Sequence, residues 1–180
     1  MRHLHLIKHG APRIDPACPS HAWSLSEAGR DQARRAADTL RSAGLTLVVS
    51  SEEPKARETA EVLAAALGLP SQAMLGLHEQ LRYSAPQLDS LDAFRARVHA
   101  VLARPSERSF GDETGDEAHA RFRTAVEAVM RVHAGNVAIV AHGTVMALLV
   151  ARVRGEDPVA LWSRLSDLSV LTLPWPDERA

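Results

Sequence analysis

Two histidine–glycine pairs, each at the end of an apolar run, are the residues in this sequence most suited to chemistry. The first pair, His9-Gly10, follows residues 4–7, and the second, His142-Gly143, follows residues 137–141. An imidazole can act as a nucleophile or as a hydrogen-bond donor. If the two apolar runs are neighbouring strands of one sheet, both imidazoles meet at the same edge. That pairing predicts a catalytic or binding site there.

Positive charge and backbone donors are expected around the two imidazoles. Lys8 precedes the first histidine, and Lys55 lies in the first turns of a helix that follows Ser50-Ser51. A helix N-terminus after residue 51 and another after residue 143 add free N–H groups, which bind anions. These groups favour an anion of the size of phosphate.

Phosphoryl transfer is the reaction that such a set of side chains indicates. One neutral imidazole would attack phosphorus, and the second would donate to the equatorial oxygens as negative charge develops. A carboxylic acid is needed to protonate the leaving oxygen, and Glu79, after a further predicted strand, is the candidate.

Alternating strands and helices are predicted to position these residues. The apolar run over 45–49 is of the kind found in buried parallel strands, and the alanines and Leu40 in the stretch 27–43 have helical spacing. We predict strands over 4–7, 45–49, 73–77, 137–141 and 168–173, and helices over 27–43, 51–67, 89–103, 117–133 and 144–153. This alternation predicts an α/β fold, a three-layer αβα sandwich with a mostly parallel central sheet, in which ligands bind beyond the carboxyl ends of the strands.

Local signals mark several of the expected boundaries. Ser26 has the features of a helix N-cap, and Ser50 and Glu53 have the spacing of a capping box. Pro174 and Pro176 are expected to end the last strand, because proline cannot donate to a sheet ladder. The segments 11–24 and 105–115 are predicted to be loops.

The composition limits the class of protein. The length of 180 residues is typical of one domain, predicted over 1–180, and 46% hydrophobic with 24% charged residues is typical of a globular protein. A net charge of −1 argues against nucleic acid or a membrane surface as a partner. The single cysteine and the lack of a signal peptide or long apolar run predict a cytoplasmic location.

Five stretches in order give the sequence a family resemblance. They are residues 6–10, 25–33, 50–60, 77–79 and 140–144, which together extend over nearly the whole chain. With them the sequence resembles the histidine phosphatase superfamily, the phosphoglycerate-mutase-like enzymes. The resemblance implies a phosphoglycerate-mutase-like fold and a phosphomonoester hydrolase that acts on a small phosphorylated molecule without a metal or other cofactor.

The resemblance also implies a role for each matching residue. His9 corresponds to the nucleophile that becomes transiently phosphorylated, and His142 to the second histidine of the phosphate pocket. Glu79 corresponds to the proton donor. The phosphate-binding residues would be Lys8, Lys55 and Thr144.

Two departures from the family pattern leave alternatives open. Lys8 and Lys55 stand where the family usually has arginine, so each site keeps its charge but loses a bidentate donor. A phospholigand-binding or regulatory protein is therefore an alternative to a hydrolase, and a phosphomutase is a second one. For the proton donor, Glu113 and Asp116 are alternatives to Glu79.

Overall fold

A five-stranded sheet forms the centre of the computed structural model, which describes residues 2–85 and 90–175. The strands are β1 (Arg2–Lys8), β2 (Leu45–Ser50), β3 (Ser71–Ala73), β4 (Asn136–Ala141) and β5 (Val170–Trp175). Their order across the sheet is β3-β2-β4-β1-β5, and only β5 runs antiparallel to its neighbour. The predicted mostly parallel sheet is confirmed.

Six helices flank the sheet. They are α1 (Glu27–Leu40), α2 (Pro54–Leu67), α3 (Leu91–Ala103), α4 (Gly115–Val132), α5 (Gly143–Arg154) and α6 (Pro158–Arg164). The predicted N-cap is confirmed, since the amide of Gly29 donates to the Ser26 hydroxyl at 3.0 Å. In the described part of the chain, no helix is long and apolar enough to cross a membrane.

The two faces of the sheet carry different helices. On one face, small residues of α1 and α2, such as Ala37 and Ala60, pack against Val48 and Val140 of the sheet. On the other face, larger side chains of α4 and α5, among them Phe122, pack against the alternate strand residues. Helix α5 is buried at nearly every position, which explains why its sequence is apolar on all sides. This three-layer αβα arrangement confirms the predicted fold class.

The register of β1 and β4 brings the two histidine–glycine pairs together. Lys8 is paired with Ala141 in the parallel ladder, and the amide of His9 donates to the Ala141 carbonyl at 3.0 Å. His9 and His142 therefore follow adjacent strands at equivalent positions. This register brings the two histidine–glycine pairs together at one edge of the sheet, as the sequence predicted.

The predicted third strand over 73–77 is wrong. Strand β3 ends at Ala73, because its partner β2 ends at Ser50 and offers no further ladder. Gly76 then turns the chain at φ +87° and passes so close to α4 that an added Cβ would lie 3.0 Å from that of Ala125. Glu79 consequently lies in a loop and not directly at a strand end.

Several predicted helix starts also differ from the structure. The capping box of Ser50 and Glu53 is wrong, because Ser50 belongs to β2 and Glu53 is itself the N-cap before Pro54. Helix α4 has a capping box that was not predicted, formed by Thr114 and Glu117, and so begins two residues before the predicted start.

Three further differences between prediction and structure concern α3, α6 and β5. Helix α3 begins at Leu91, and Asp89, the predicted start, lies outside the described residues. The short helix α6 was not predicted. The prediction that Pro174 ends the last strand is wrong, because β5 continues to Trp175. Since β5 is the edge strand of the sheet, the missing N–H of Pro174 is tolerated there. Pro176 lies outside the described residues.

Candidate active site

His9 and His142 form the centre of the candidate site. Their ring centroids lie 5.2 Å apart with the planes at 60°. Both side chains are almost completely buried, with 9% and 1% of the residue surface exposed. Two imidazoles in such a place are held by the fold and do not belong to a solvated surface.

His9 has the hydrogen bonding of an oriented nucleophile. Its Nδ1 lies 2.8 Å from the carbonyl oxygen of Gly10, which can only accept, so Nδ1 carries the proton and Nε2 keeps a free electron pair. Burial, together with the charge of His142, lowers the pKa of His9 to about 3. The ring is therefore neutral at physiological pH. A neutral imidazole with a fixed tautomer is ready to attack an electrophile through Nε2.

His142 is held differently. Its Nε2 lies 2.9 Å from the hydroxyl oxygen of Ser51 and 3.5 Å from Oε1 of Glu53. Its Nδ1 is buried and has no hydrogen-bond partner among residues 2–85 and 90–175. Burial, and next the charge of Lys55, lowers the pKa of His142 to about 3. An unpartnered buried nitrogen is costly, so Nδ1 is an atom that a ligand would satisfy.

The two predicted phosphate-binding lysines both contact carboxylates. Lys8 Nζ lies 3.1 Å from Oδ1 of Asp167, and Lys55 Nζ lies 2.5 Å from Oε2 of Glu53. The Lys55 ammonium also donates to the carbonyl of Ser20 at 2.7 Å. The structure thus brings both lysines to the histidines' end of the sheet, where each has an internal anionic partner.

Glu79 lies against the N-terminus of α5. Its carboxylate accepts from the amides of Gln80 at 2.9 Å, Thr144 at 3.1 Å and Val145 at 3.3 Å. Burial raises the pKa of Glu79, but the charge of Arg82, the nearby His142 and the hydrogen bonds from the Gln80 and Thr144 amides outweigh burial and lower that pKa to about 2. The carboxylate is therefore ionised in the substrate-free protein.

Arg121 holds the Glu79 loop in place. Its guanidinium donates to the carbonyls of Gly76 at 2.7 Å, His78 at 2.9 Å and Glu79 at 3.1 Å, and it forms a two-pronged pair with Glu113 at 2.8 Å. A side chain that binds three carbonyls of one loop is a positioning group.

The two alternative acids lie in ion pairs. Glu113 is held by Arg121 and accepts from the amide of Leu81 at 3.1 Å, so its carboxylate orders the loop that carries Glu79. Asp116 pairs with Arg152 at a position where nearly half of the Asp116 side chain is exposed. In the substrate-free protein, both carboxylates have structural partners and neither is among the contacts of the two central histidines.

Two residues of the cluster were missed by the sequence reasoning. Glu53 links Lys55 to His142 and accepts from the Glu79 amide at 3.0 Å. Arg82 donates through Nη2 to the hydroxyl of Thr144 at 2.7 Å. Glu53 had only its helix-start position as a signal, and Arg82 had its place three residues after Glu79.

Comparison with known proteins shows that this chain is similar to proteins named as phosphatases and phosphoglycerate mutases. The model of the histidine phosphatase superfamily (branch 1) matches residues 4–180. A probable phosphoglycerate mutase of Erwinia tasmaniensis is 29% identical over 171 residues, which are 86% of this chain and 76% of that protein. The adenosylcobalamin/alpha-ribazole phosphatase of Escherichia coli is 28% identical over 167 residues, covering 88% and 82% of the two chains.

Solved structures agree with the family match. Mycobacterial glucosyl-3-phosphoglycerate phosphatase in complex with inorganic phosphate superposes with a TM-score of 0.70 at 29% identity, covering 97% of this chain and 90% of that one. The same phosphatase in complex with VO3 gives a TM-score of 0.74 at 25% identity, with 99% and 95% coverage. The resemblance noted from the five sequence stretches is confirmed.

Proposed function

The chain belongs to the histidine phosphatase superfamily, and on that premise we propose that it is a phosphomonoester hydrolase with a phosphohistidine intermediate on His9. The observation that carries the proposal is the His9 side chain: a buried, neutral ring whose Nδ1 is bound to the Gly10 carbonyl at 2.8 Å, next to a second buried imidazole. We assign this activity to one domain over 1–180, acting on a small phosphorylated molecule in the cytoplasm without a metal.

In the first step, His9 Nε2 attacks phosphorus in line while the bond from phosphorus to the ester oxygen breaks. The bond between nitrogen and phosphorus forms with the free electron pair of the ring, and the leaving alcohol takes a proton from Glu79. In the second step, Glu79 takes a proton from water, whose oxygen attacks phosphorus while the nitrogen–phosphorus bond breaks and its electron pair returns to His9. Phosphate and free His9 are the products, and no proton or electron is left over.

Lys8, Lys55 and His142 would hold the equatorial oxygens during both steps. The Nδ1 of His142 is one of three buried side-chain atoms without a hydrogen-bond partner among the described residues, and a phosphate oxygen beside it would satisfy it. The lysines would exchange their contacts with Asp167 and Glu53 for contacts with phosphate. Because the incoming ester carries up to two negative charges, it competes well with one carboxylate for each ammonium.

Glu79 must be protonated before it can act as an acid. In the free protein the charge of Arg82 and the amides at α5 stabilise its carboxylate. A bound phosphate dianion near Glu79 would raise its pKa by charge repulsion, since like charges at short distance disfavour ionisation. The proposal therefore assigns the acidic form of Glu79 to the substrate complex and not to the free protein.

Phosphate release from p-nitrophenyl phosphate in the presence of a chelator, compared between wild type and His9→Ala, tests this function. We expect turnover in the wild type that survives the chelator and is lost in the variant. A quenched reaction should contain acid-labile phosphate bound to Nε2 of His9. Wild-type turnover by His9→Ala would contradict the mechanism. Product analysis separates hydrolysis from a mutase reaction, which returns an isomerised ester and not free phosphate.

A non-catalytic phospholigand-binding role is the second candidate, and the pairing of each lysine with a carboxylate favours it. Each lysine is paired with a carboxylate in the free protein, so less of its charge is available to stabilise the transition state of phosphoryl transfer. Phosphate binding without turnover by a folded wild type would support this role. Lys8→Arg combined with Lys55→Arg restores the family's residues, and a gain of turnover in that variant would identify the lysines as the reason for inactivity.

A further inference from the structure

We propose that Arg82 is an additional phosphate-binding residue and supplies the guanidinium that positions 8 and 55 lack. The inference deepens the proposed function, on which it rests for the nature of the ligand. Arg82 lies in the loop after Glu79. Its guanidinium lies next to that acid and to the N-terminus of α5. It is the arginine that contacts Thr144, which the family resemblance assigns to phosphate binding.

The position of the guanidinium is that of a group next to a bound anion. Nη2 of Arg82 donates to the Thr144 hydroxyl at 2.7 Å and lies 4.0 Å from Oε2 of Glu79. The same Glu79 oxygen accepts from the Thr144 amide. An anion that contacts Thr144 would therefore lie within reach of Nη2 after a small movement.

The charge of Arg82 is less well compensated than that of either lysine. Lys8 and Lys55 have carboxylate oxygens at 3.1 Å and 2.5 Å, whereas Arg82 has its carboxylate oxygen at 4.0 Å and hydrogen bonds only to neutral groups. Only 14% of the Arg82 side chain is exposed. A buried cation whose carboxylate partner is 4.0 Å away is only partly compensated, and binding of an anion in direct contact relieves the remaining cost.

The surroundings of Arg82 hold its plane in one orientation. The carbon at the centre of the guanidinium lies 5.3 Å from the ring centroid of Phe94 and 5.5 Å from that of Phe110, which are cation–π distances. Its Nε donates at 2.7 Å to Oε1 of Gln80, whose amide group is bound at 2.6 Å by the carbonyls of Phe110 and Glu113. A preorganised planar fork loses little entropy when it binds phosphate oxygens.

Binding of phosphate by Arg82 would also prepare the acid. In the free protein Glu79 faces the charge of Arg82 on one side, His142 on another and the amides of residues 80, 144 and 145. When Arg82 donates to phosphate, part of its charge is neutralised there. Glu79 then accepts a proton more readily, so ligand binding and activation of the acid are coupled through one side chain.

A purely structural role is the alternative, in which Arg82 only joins its loop to α5. The two roles differ in their effect on phosphate affinity. A structural clamp affects the unfolding temperature, and its loss does not change the affinity of a correctly folded protein for inorganic phosphate. A phosphate-binding residue affects that affinity directly, and lysine replaces it only in part because the fork is lost.

The test is calorimetric titration of inorganic phosphate into wild type, Arg82→Gln and Arg82→Lys, with Arg123→Gln as the matched control. Arg123 pairs with Glu127 on the surface of α4. We expect Arg82→Gln to raise the phosphate Kd about tenfold or more, equivalent to about 1.4 kcal/mol, and Arg82→Lys to recover part of the loss. Arg123→Gln should bind phosphate like the wild type. An unchanged Kd in a folded Arg82→Gln protein overturns the proposal.

Two further measurements keep this outcome separate from that of the proposed function. The leaving group of an aryl ester needs no acid, whereas that of an alkyl ester does. Turnover of both esters should fall in Arg82→Gln, and that of the alkyl ester should fall less, because loss of the Arg82 charge makes Glu79 easier to protonate. If wild type binds phosphate but has no turnover, the hydrolase proposal fails while the role of Arg82 in binding stands. If Arg82→Gln does not fold, NMR of the ¹⁵N-labelled wild type replaces it, with the Nε–H resonance of Arg82 assigned by comparison with Arg82→Lys. That resonance should shift when phosphate is added. A resonance that does not shift refutes the role of Arg82 in binding.

Discussion

The two histidine–glycine pairs follow adjacent parallel strands in the same register, yet the chain continues from them in different ways. After His9-Gly10 it enters a long loop, and the Gly10 carbonyl turns back to bind Nδ1 of its own neighbour at 2.8 Å. After His142-Gly143 it enters α5 directly, and the ring is held from another strand end, by the Ser51 hydroxyl at 2.9 Å. The same dipeptide thus leaves Nε2 open in His9 and Nδ1 open in His142.

This difference separates the proposed roles. His9 has its tautomer set by a backbone acceptor, which is the requirement of a nucleophile. The Nε2 of His142 lies near the Ser51 hydroxyl and the Glu53 carboxylate, and its Nδ1 has no partner within the described residues. This arrangement suits a group that binds phosphate. The rule that follows is that a repeated motif predicts where side chains meet, and that the hydrogen bonds of each ring determine what each one does.

Of the substitutions at the two histidines, removal of His9 should reduce turnover most. His9→Ala leaves no nucleophile, so we expect turnover to fall by about 10³-fold or more and the phosphoenzyme to disappear. Rapid quenching with a labelled phosphomonoester measures both. A variant that still becomes labelled to the wild-type extent would show that another residue is the nucleophile.

Removal of His142 should have a smaller effect of a different kind. His142→Ala keeps the nucleophile, so a phosphoenzyme still forms, but we expect its formation to slow by about 10²-fold because one donor to the equatorial oxygens is lost. The same quench experiment measures the rate at which the phosphoenzyme forms separately from its final amount. Loss of all labelling in a folded His142→Ala protein would contradict the division of roles.

The pH dependence of stability should show that both rings are buried in the neutral form. The folded protein holds them at a pKa of about 3, while in the unfolded chain they take up protons below about 6.5, so stability falls as the pH decreases through this range. At pH 5 each histidine should cost about 2 kcal/mol relative to pH 7.

Denaturant unfolding at pH 7 and pH 5 measures this loss. His9→Asn and His142→Asn should each remove one histidine's share, whereas the half-buried His133→Asn, outside the site, serves as the control. His119, with a pKa lowered to about 4 by burial and Arg152, contributes in the same direction in every variant. A wild type whose stability does not change between the two pH values would contradict the buried neutral state.

Loss of the Ser51 hydroxyl should have the smallest effect. Ser51→Ala removes the hydrogen bond that orients His142 but leaves both rings in place, so we expect turnover to fall several-fold, equivalent to about 1 kcal/mol. Its neighbour Ser50, also buried, provides the control Ser50→Ala. Steady-state rates on p-nitrophenyl phosphate compare the two, and equal rates would show that Ser51 does not orient the ring.

Much of the fold was predictable because its signals are local. The continuous apolar runs of β1, β2 and β4 reflect burial on both faces, and the N-cap at Ser26 acts within one turn. The third strand was misplaced because its length depends on where β2 ends, which is a property of the partner and not of residues 73–77. The start of α2 was misplaced because Ser50 has the residue type of an N-cap but belongs to β2, so that the helix begins only after Glu53, whose side chain makes no capping hydrogen bond.

Residue type and order along the chain were sufficient to predict that the two imidazoles, the two lysines and the acid would lie near one edge of the sheet, because the ends of parallel strands meet there. The charges that each group meets depend on side chains far apart in sequence. Lys8 meets Asp167, 159 residues away, and Arg82 meets Thr144, 62 residues away. Such contacts arise when loops fold over the sheet edge, where short-range electrostatics in a buried region determines pKa and affinity. No local pattern in the sequence encodes them.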